Sequence, residues 1–147
     1  MFQVFNPKSK ETYSIDITQQ NYVTKERNVT PTNSEVERVA ISGCGLHLAT
    51  LEACWAPVPR VTLKFWHYQL GSQRFLLTTQ VESPHEGGAV HQLLFQPPGG
   101  HVAAAAPEAR VSLLTCGQDG RAKVWSGGAA AWECRLCIGI ERHGFSF

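Results

Sequence analysis

Gly117-Gln118-Asp119-Gly120-Arg121-Ala122-Lys123-Val124-Trp125 joins a tight polar turn to a short alternating segment. Gly accepts left-handed backbone without a steric penalty, and Asp can bond its own neighbouring amides, so Asp119-Gly120 reads as a turn. After it, polar Lys123 stands between apolar Ala122 and Val124, and an aromatic closes the segment. Alternation of this kind reads as a strand with one buried face. Two further segments share the pattern, Leu63-Lys64-Phe65-Trp66 and Phe2-Gln3-Val4-Phe5. Each has a polar residue second, an apolar residue third and an aromatic fourth. The closing aromatics Phe5, Trp66 and Trp125 lie 61 and 59 residues apart.

Other elements recur around these segments. Val36, Val39 and Ile41 have the spacing of Val90, Leu93 and Phe95, and the pattern starts again at Phe145 and Phe147. Turn residues follow each full copy, Ser42-Gly43-Cys44-Gly45 and Gln96-Pro97-Pro98-Gly99-Gly100. A third strand is expected over Leu46 to Leu51 and over Val111 to Cys116. A fourth lies ahead of each unit, at about Tyr13 to Thr18, Phe75 to Val81 and Trp132 to Ile138. The unit is therefore four short strands joined by tight turns. One such sheet cannot bury its own faces, but copies stacked radially can. No window sustains apolar residues at helical spacing, and the Gly and Pro residues break any long helix. The expected class is all-β.

Composition narrows the function. At 147 residues, 43% hydrophobic and 17% charged, the chain is of ordinary globular type. A net charge of +1 supplies no strongly basic face for bare phosphate. No apolar run reaches the roughly 18 residues a bilayer requires, and Met1 to Pro7 lack the regions of a signal peptide. The five cysteines, an odd count, are expected as free thiols in a reducing compartment.

The Gly117 to Trp125 segment resembles the third-to-fourth-strand signature of WD repeats. His85, in Ser83-Pro84-His85-Glu86-Gly87-Gly88, sits where that family has the His of its Gly-His pair, and Thr115 stands where it has a Ser or Thr. By this resemblance His85, Thr115, Asp119 and Trp125 form the family's structural hydrogen-bond tetrad. Pro84 replaces the Gly of the first pair, and Ser126 the Asp of the second. Six residues before Trp66 stands Arg60, so no tetrad is expected in the earlier unit. The implied fold is an incomplete WD-repeat β-propeller of antiparallel four-stranded blades. Residues 1–18 read as the end of a preceding blade and an outer strand, and 19–68 as a degenerate repeat. Residues 69–126 read as a repeat with tetrad and an insertion at about 97–109, and 127–147 as the truncated start of the next blade. Two repeats leave inter-blade faces open, so the chain alone is expected to be marginal or to aggregate.

A closer resemblance runs through Leu63 to Tyr68, Phe75 to Val81, Pro84-His85-Glu86, the Asp119 to Trp125 signature and Trp132-Glu133-Cys134. It is to a WD-repeat subunit of the small-subunit processome. It implies a nuclear, nucleolar, non-catalytic scaffold in ribosome biogenesis, tied to pre-rRNA processing and RNA polymerase I transcription. The implied partners are other processome proteins, with pre-ribosomal RNA or small nucleolar RNA contacted indirectly. No membrane, small-molecule substrate or cofactor is implied. The alternative is a peptide-binding adaptor, in a ubiquitin ligase or a chromatin reader.

Reactive motifs weigh little beside this. His85-Glu86 begins like a zinc-protease motif, but Ala89 stands where a second His is required. Cys134-Arg135-Leu136-Cys137 falls in an expected strand, where residues three apart point to opposite faces, so its sulfurs are expected to diverge. Gly43-Cys44-Gly45 lacks the third Gly and the helix of a dinucleotide loop, and Asn28-Val29-Thr30 is a glycosylation sequon without a secretory signal. No catalytic, metal or cofactor residue is assigned. The polar stretch Gln20 to Glu35, with Lys25 and Arg27, is the candidate loop for partner contact.

Overall fold

The computed structural model describes residues 2–15, 34–55, 58–97 and 110–139. Among these residues it is all strand and turn. The strands are β1 (Phe2–Phe5), β2 (Thr12–Ile15), β3 (Glu35–Ile41), β4 (His47–Cys54), β5 (Arg60–Gln69), β6 (Arg74–Glu82), β7 (Val90–Phe95), β8 (Val111–Gly117), β9 (Arg121–Gly127) and β10 (Trp132–Gly139). Each pairs antiparallel with its neighbour in sequence. They form a two-stranded sheet β1-β2 and two four-stranded sheets, β3-β4-β5-β6 and β7-β8-β9-β10. These last two are the first and second blades. No helix among the described residues is long and apolar enough to cross a membrane.

The two blades superpose in register. Leu48 pairs with Trp66 as Leu113 pairs with Trp125, and Thr50 with Lys64 as Thr115 with Lys123. Val39 faces Thr50 as Leu93 faces Thr115, and Ile41 faces Leu48 as Phe95 faces Leu113. Even the irregularity repeats. One bulge falls between Val36 and Arg38, another between Val90 and Gln92, and each adds twist at the same place in the inner strand.

Alternation decides what each blade buries. On one face of the first blade, Ala49, Leu51, Ala53, Val61, Leu63 and Phe65 pack against Val90, Leu93, Leu113, Trp125 and Trp132 of the second. Phe65 stacks on Trp132 with centroids 4.4 Å apart and planes at 6°. Arg38 Nε donates to the Val90 carbonyl at 3.2 Å, and the Trp132 amide donates to Thr79 Oγ1 at 3.0 Å. On the opposite face, Leu48, Trp66 and Phe75 pack against Ile15, Val4 and Tyr13 of the β1-β2 sheet. The first blade is thus covered on both sides, which is why all eight residues of β4 are buried.

Sequence repeat and spatial blade are offset by one strand. β6 precedes the His85 loop and the strands ending at Trp125, yet it hydrogen-bonds to β5 of the first blade. The connection from β6 to β7 therefore crosses from one blade to the next.

One expectation fails on a local detail. In β10 the register shifts between Cys134 and Leu136, leaving Arg135 as the extra residue. Cys134 then pairs with Trp125 and Cys137 with Lys123, which share a sheet face. Strict alternation would have sent the two cysteines to opposite faces; the bulge brings them to the same one. Both are free and exposed. Lys25 and Arg27, all but the start of the 97–109 insertion, and Phe145 and Phe147 lie outside the described residues.

Candidate functional site

The best-defined polar constellation lies where the connection from β6 to β7 crosses between blades. Ser83 and Glu86 have φ of 51° and 52°, unusual for residues with a Cβ, and Gly87 follows at 78°. This bend, closed by the Gly88 amide on the His85 carbonyl at 2.9 Å, turns the His85 ring inward. Lys123 Nζ fixes the loop from β9 by donating to the Pro84 carbonyl at 2.6 Å.

Inside, four side chains form a chain of hydrogen bonds. Trp125 Nε1 donates to Thr115 Oγ1 at 2.9 Å. Thr115 Oγ1 lies 2.8 Å from His85 Nε2, and His85 Nδ1 lies 2.9 Å from Asp119 Oδ1. The carboxylate fixes the tautomer. An ionised carboxylate can only accept, so the proton of the neutral ring sits on Nδ1 and points at Asp119, and Nε2 accepts the proton of the threonine hydroxyl, whose oxygen accepts from the indole. Asp119 Oδ1 also accepts the Arg121 amide at 3.0 Å, the turn bond that Asp-Gly sequences favour. Burial pushes the Asp119 carboxyl up. The bonds from His85 and the Arg121 amide, with the charge of Lys123, outweigh this and hold it below its ordinary value.

A glycine makes room for the ring. A Cβ on Gly117 would lie 2.3 Å from His85 Cγ, inside any permitted contact. Chemically the arrangement is inert. Thr115 and His85 are fully buried, so no substrate reaches a hydroxyl that already serves two partners. No group of three or more metal-ligating side chains occurs among the described residues. The polar atoms are used in packing, as buried polar groups must be.

Residues 2–134 match the family described as WD repeat-containing protein 75 second beta-propeller. The chain belongs to that family. Its relatives include WD repeat-containing protein 75 of Mus musculus, 30% identical over 118 residues, covering 79% of this chain and 13% of the relative. The Xenopus laevis protein of the same name is 31% identical over 117 residues, 77% of this chain and 13% of the relative. The Homo sapiens protein is 30% identical over 118 residues, with shares of 79% and 13%. The chain thus spans about 13% of the length of the curated relatives it matches.

Within this propeller family the first blade carries a second solution to the same packing problem. Trp66 Nε1 donates to Thr50 Oγ1 at 2.9 Å, the counterpart of the Trp125–Thr115 bond. No full tetrad forms here, as the position of Arg60 had suggested, but half of one is present. The offset to Arg60 does not register it because the hairpin arms run three register pairs further here, so threonine and tryptophan are 16 residues apart, against 10 in the second blade. The sequence does carry a signal, since Leu48-Ala49-Thr50 matches Leu113-Leu114-Thr115.

The other half is exchanged. By register Glu52, opposite Val36, stands where Gly117, opposite Val90, stands, two residues past the threonine. A side chain at that point occupies the space a tetrad histidine would need. Glu52 instead accepts from Lys64 Nζ at 2.7 Å, with both side chains buried. Lys64 is the counterpart of Lys123, so one cation serves an ion pair in one blade and a loop carbonyl in the other.

The repeat-closing aromatics divide accordingly. Trp66 and Trp125 are buried and bonded to threonines, whereas Phe5 at the end of β1 is 60% exposed. A phenyl ring has no N–H to anchor.

Proposed function

We propose that this chain is part of a non-catalytic scaffold in ribosome biogenesis. It supports small-subunit pre-rRNA processing and RNA polymerase I transcription by protein contacts, with RNA contact secondary. The match of residues 2–134 to the second propeller of WD repeat-containing protein 75 carries this reading. The use of His85, Thr115 and Asp119 as packing groups supports it, since their polar atoms are spent on holding the second blade and its incoming loop together. On this reading the protein acts in the nucleolus, within the nucleus. Its partners are other processome proteins, and pre-ribosomal or small nucleolar RNA is reached through them. No cofactor, membrane or small-molecule substrate takes part.

The test is to image the tagged full-length protein and sequence the RNA that co-purifies with it. Nucleolar signal with enriched pre-rRNA is expected. A signal confined to the cytoplasm, without pre-rRNA, overturns the reading.

A further inference from the structure

At the end of the blades remote from His85, two imidazoles meet on the seam between them. His47 opens β4, His67 lies near the end of β5, and the two are register partners. Their ring centroids are 5.0 Å apart, with planes at 40°. By alternation they share the face of Ala49 and Phe65, which packs on the second blade. His47 meets Trp132 edge-on at 5.9 Å. Trp132 is a principal tie between blades, stacked on Phe65, edge-on to Phe95, and bonded through its amide to Thr79 of β6. Ser42 Oγ accepts the His47 amide at 3.0 Å and fixes the backbone that carries the ring. Nδ1 of His47, Nδ1 of His67 and Nε1 of Trp132 are all buried without a hydrogen-bond partner among the described residues.

We propose that His47 and His67 form a proton-controlled latch on the inter-blade seam, closed against Trp132 when both rings are neutral and opened at Trp132 when they are charged.

Among the described residues, the groups around the pair supply no counter-charge. The turns Ser42 to Leu46, Leu70 to Gln73 and Gly128 to Ala131 at this end contain no Asp, Glu, Lys or Arg, and Arg110, which precedes β8, is a cation paired with Glu133. Cys44 is titratable, but its sulfur lies 3.2 Å from Ser42 Oγ. Arg74 opens β6, one residue before Phe75, which packs on the opposite face of the blade. Glu133 follows Trp132, but it is exposed and paired with Arg110 and Arg135. A proton on either ring therefore creates a charge in an apolar seam, and a second creates like charges side by side. Burial, and then the charge of His67, hold His47 below its ordinary value of 6.5. The sign follows. The folded ring resists protonation more than the unfolded one, so the seam has full strength above the ordinary imidazole value. It weakens as pH falls from there through the lower folded value.

The experiment follows amide exchange in the full chain from about pH 7.5 to 5, corrected for intrinsic exchange chemistry. Protection in β4 and β10 should fall severalfold across that range, and more steeply there than in strands away from the seam. In His47→Gln/His67→Gln the dependence should vanish. An unchanged acid response in that variant, or a flat profile in the unaltered chain, overturns the latch. A second measurement needs no variant: ring-proton titration of His47 by NMR. A midpoint below 6.5 supports the proposal, and one at or above it overturns it.

Discussion

At the scale of single residues, Gly117 explains the most with the fewest atoms. Its missing Cβ is what lets His85 reach Thr115 and Asp119 at once. Gly117→Ala forces a methyl to within 2.3 Å of the ring in a strand whose neighbours cannot move freely. Overpacking of this kind destabilises by about 1–3 kcal/mol. Urea unfolding should show that loss in the otherwise unaltered chain. In a His85→Gly background the Cβ, Cγ and Nδ1 that the methyl would meet are all gone, so the same change should be close to neutral. Equal losses in both backgrounds would mean that the glycine serves the backbone rather than the ring. Thr115, Asp119 and Trp125 were legible because their spacing is fixed by one short hairpin, and His85 because it stands in the loop that leads into the same blade. The requirement at Gly117 was not legible, because a glycine before an Asp-Gly turn already has a local explanation.

At the scale of elements, the first blade shows where alternation misleads. Thr62 and Lys64 alternate with Val61, Leu63 and Phe65, and a polar face of this sort usually meets water. Here it does not. Lys64 and Glu52 are buried on the side facing away from the second blade. Strand identity and register could be read from Leu-x-Thr and Lys-x-aromatic spacings. Coverage could not, because it depends on a neighbouring sheet that the strand's own pattern does not encode. The CxxC misreading in β10 has a similar origin, since a bulge inserts one residue without a Gly or Pro to announce it. The buried pair yields a prediction of its own. Removing only its acid, as in Glu52→Leu, strips a buried ammonium of its carboxylate, a change that typically destabilises by about 3–5 kcal/mol. Replacing both groups, Glu52→Leu with Lys64→Met, should recover most of that loss, because neither charge is then taken out of water. Thermal unfolding of the single and double variants decides the matter. A double variant as unstable as the single one would show that Lys64 supports the blade chiefly through its other contacts.

At the scale of the whole molecule, the two blades differ in what covers them. The first blade's inward-packed row runs Ala40, Ala49, Phe65 across β3, β4 and β5. Its register counterpart in the second blade is Leu94, Leu114, Val124, continued by Leu136 of β10. In the first blade this face is buried against the second. In the second blade Leu94, Leu136 and Ile138 are each about half exposed, at 52%, 51% and 49%. A continuous apolar row on an open sheet is a site of association, because covering it removes hydrocarbon from water without disturbing any hydrogen bond within the blade. Among the described residues no strand pairs with the outer edge of β10 beside it. Self-association of this chain should therefore pass through the second blade's free face. Leu136→Lys with Ile138→Lys places two charges on that face where about half of each side chain already meets water and a lysine stem can cover the rest, so folding should be retained. Sedimentation velocity should then show the weight-average size falling toward that of a monomer, with the unaltered chain associating as concentration rises. The competing surface is the edge of the first blade, where Leu76 and Leu77 of β6 are also half exposed. If association persists in the β10 variant and disappears in Leu76→Lys/Leu77→Lys, the strand edge drives it and the open face does not.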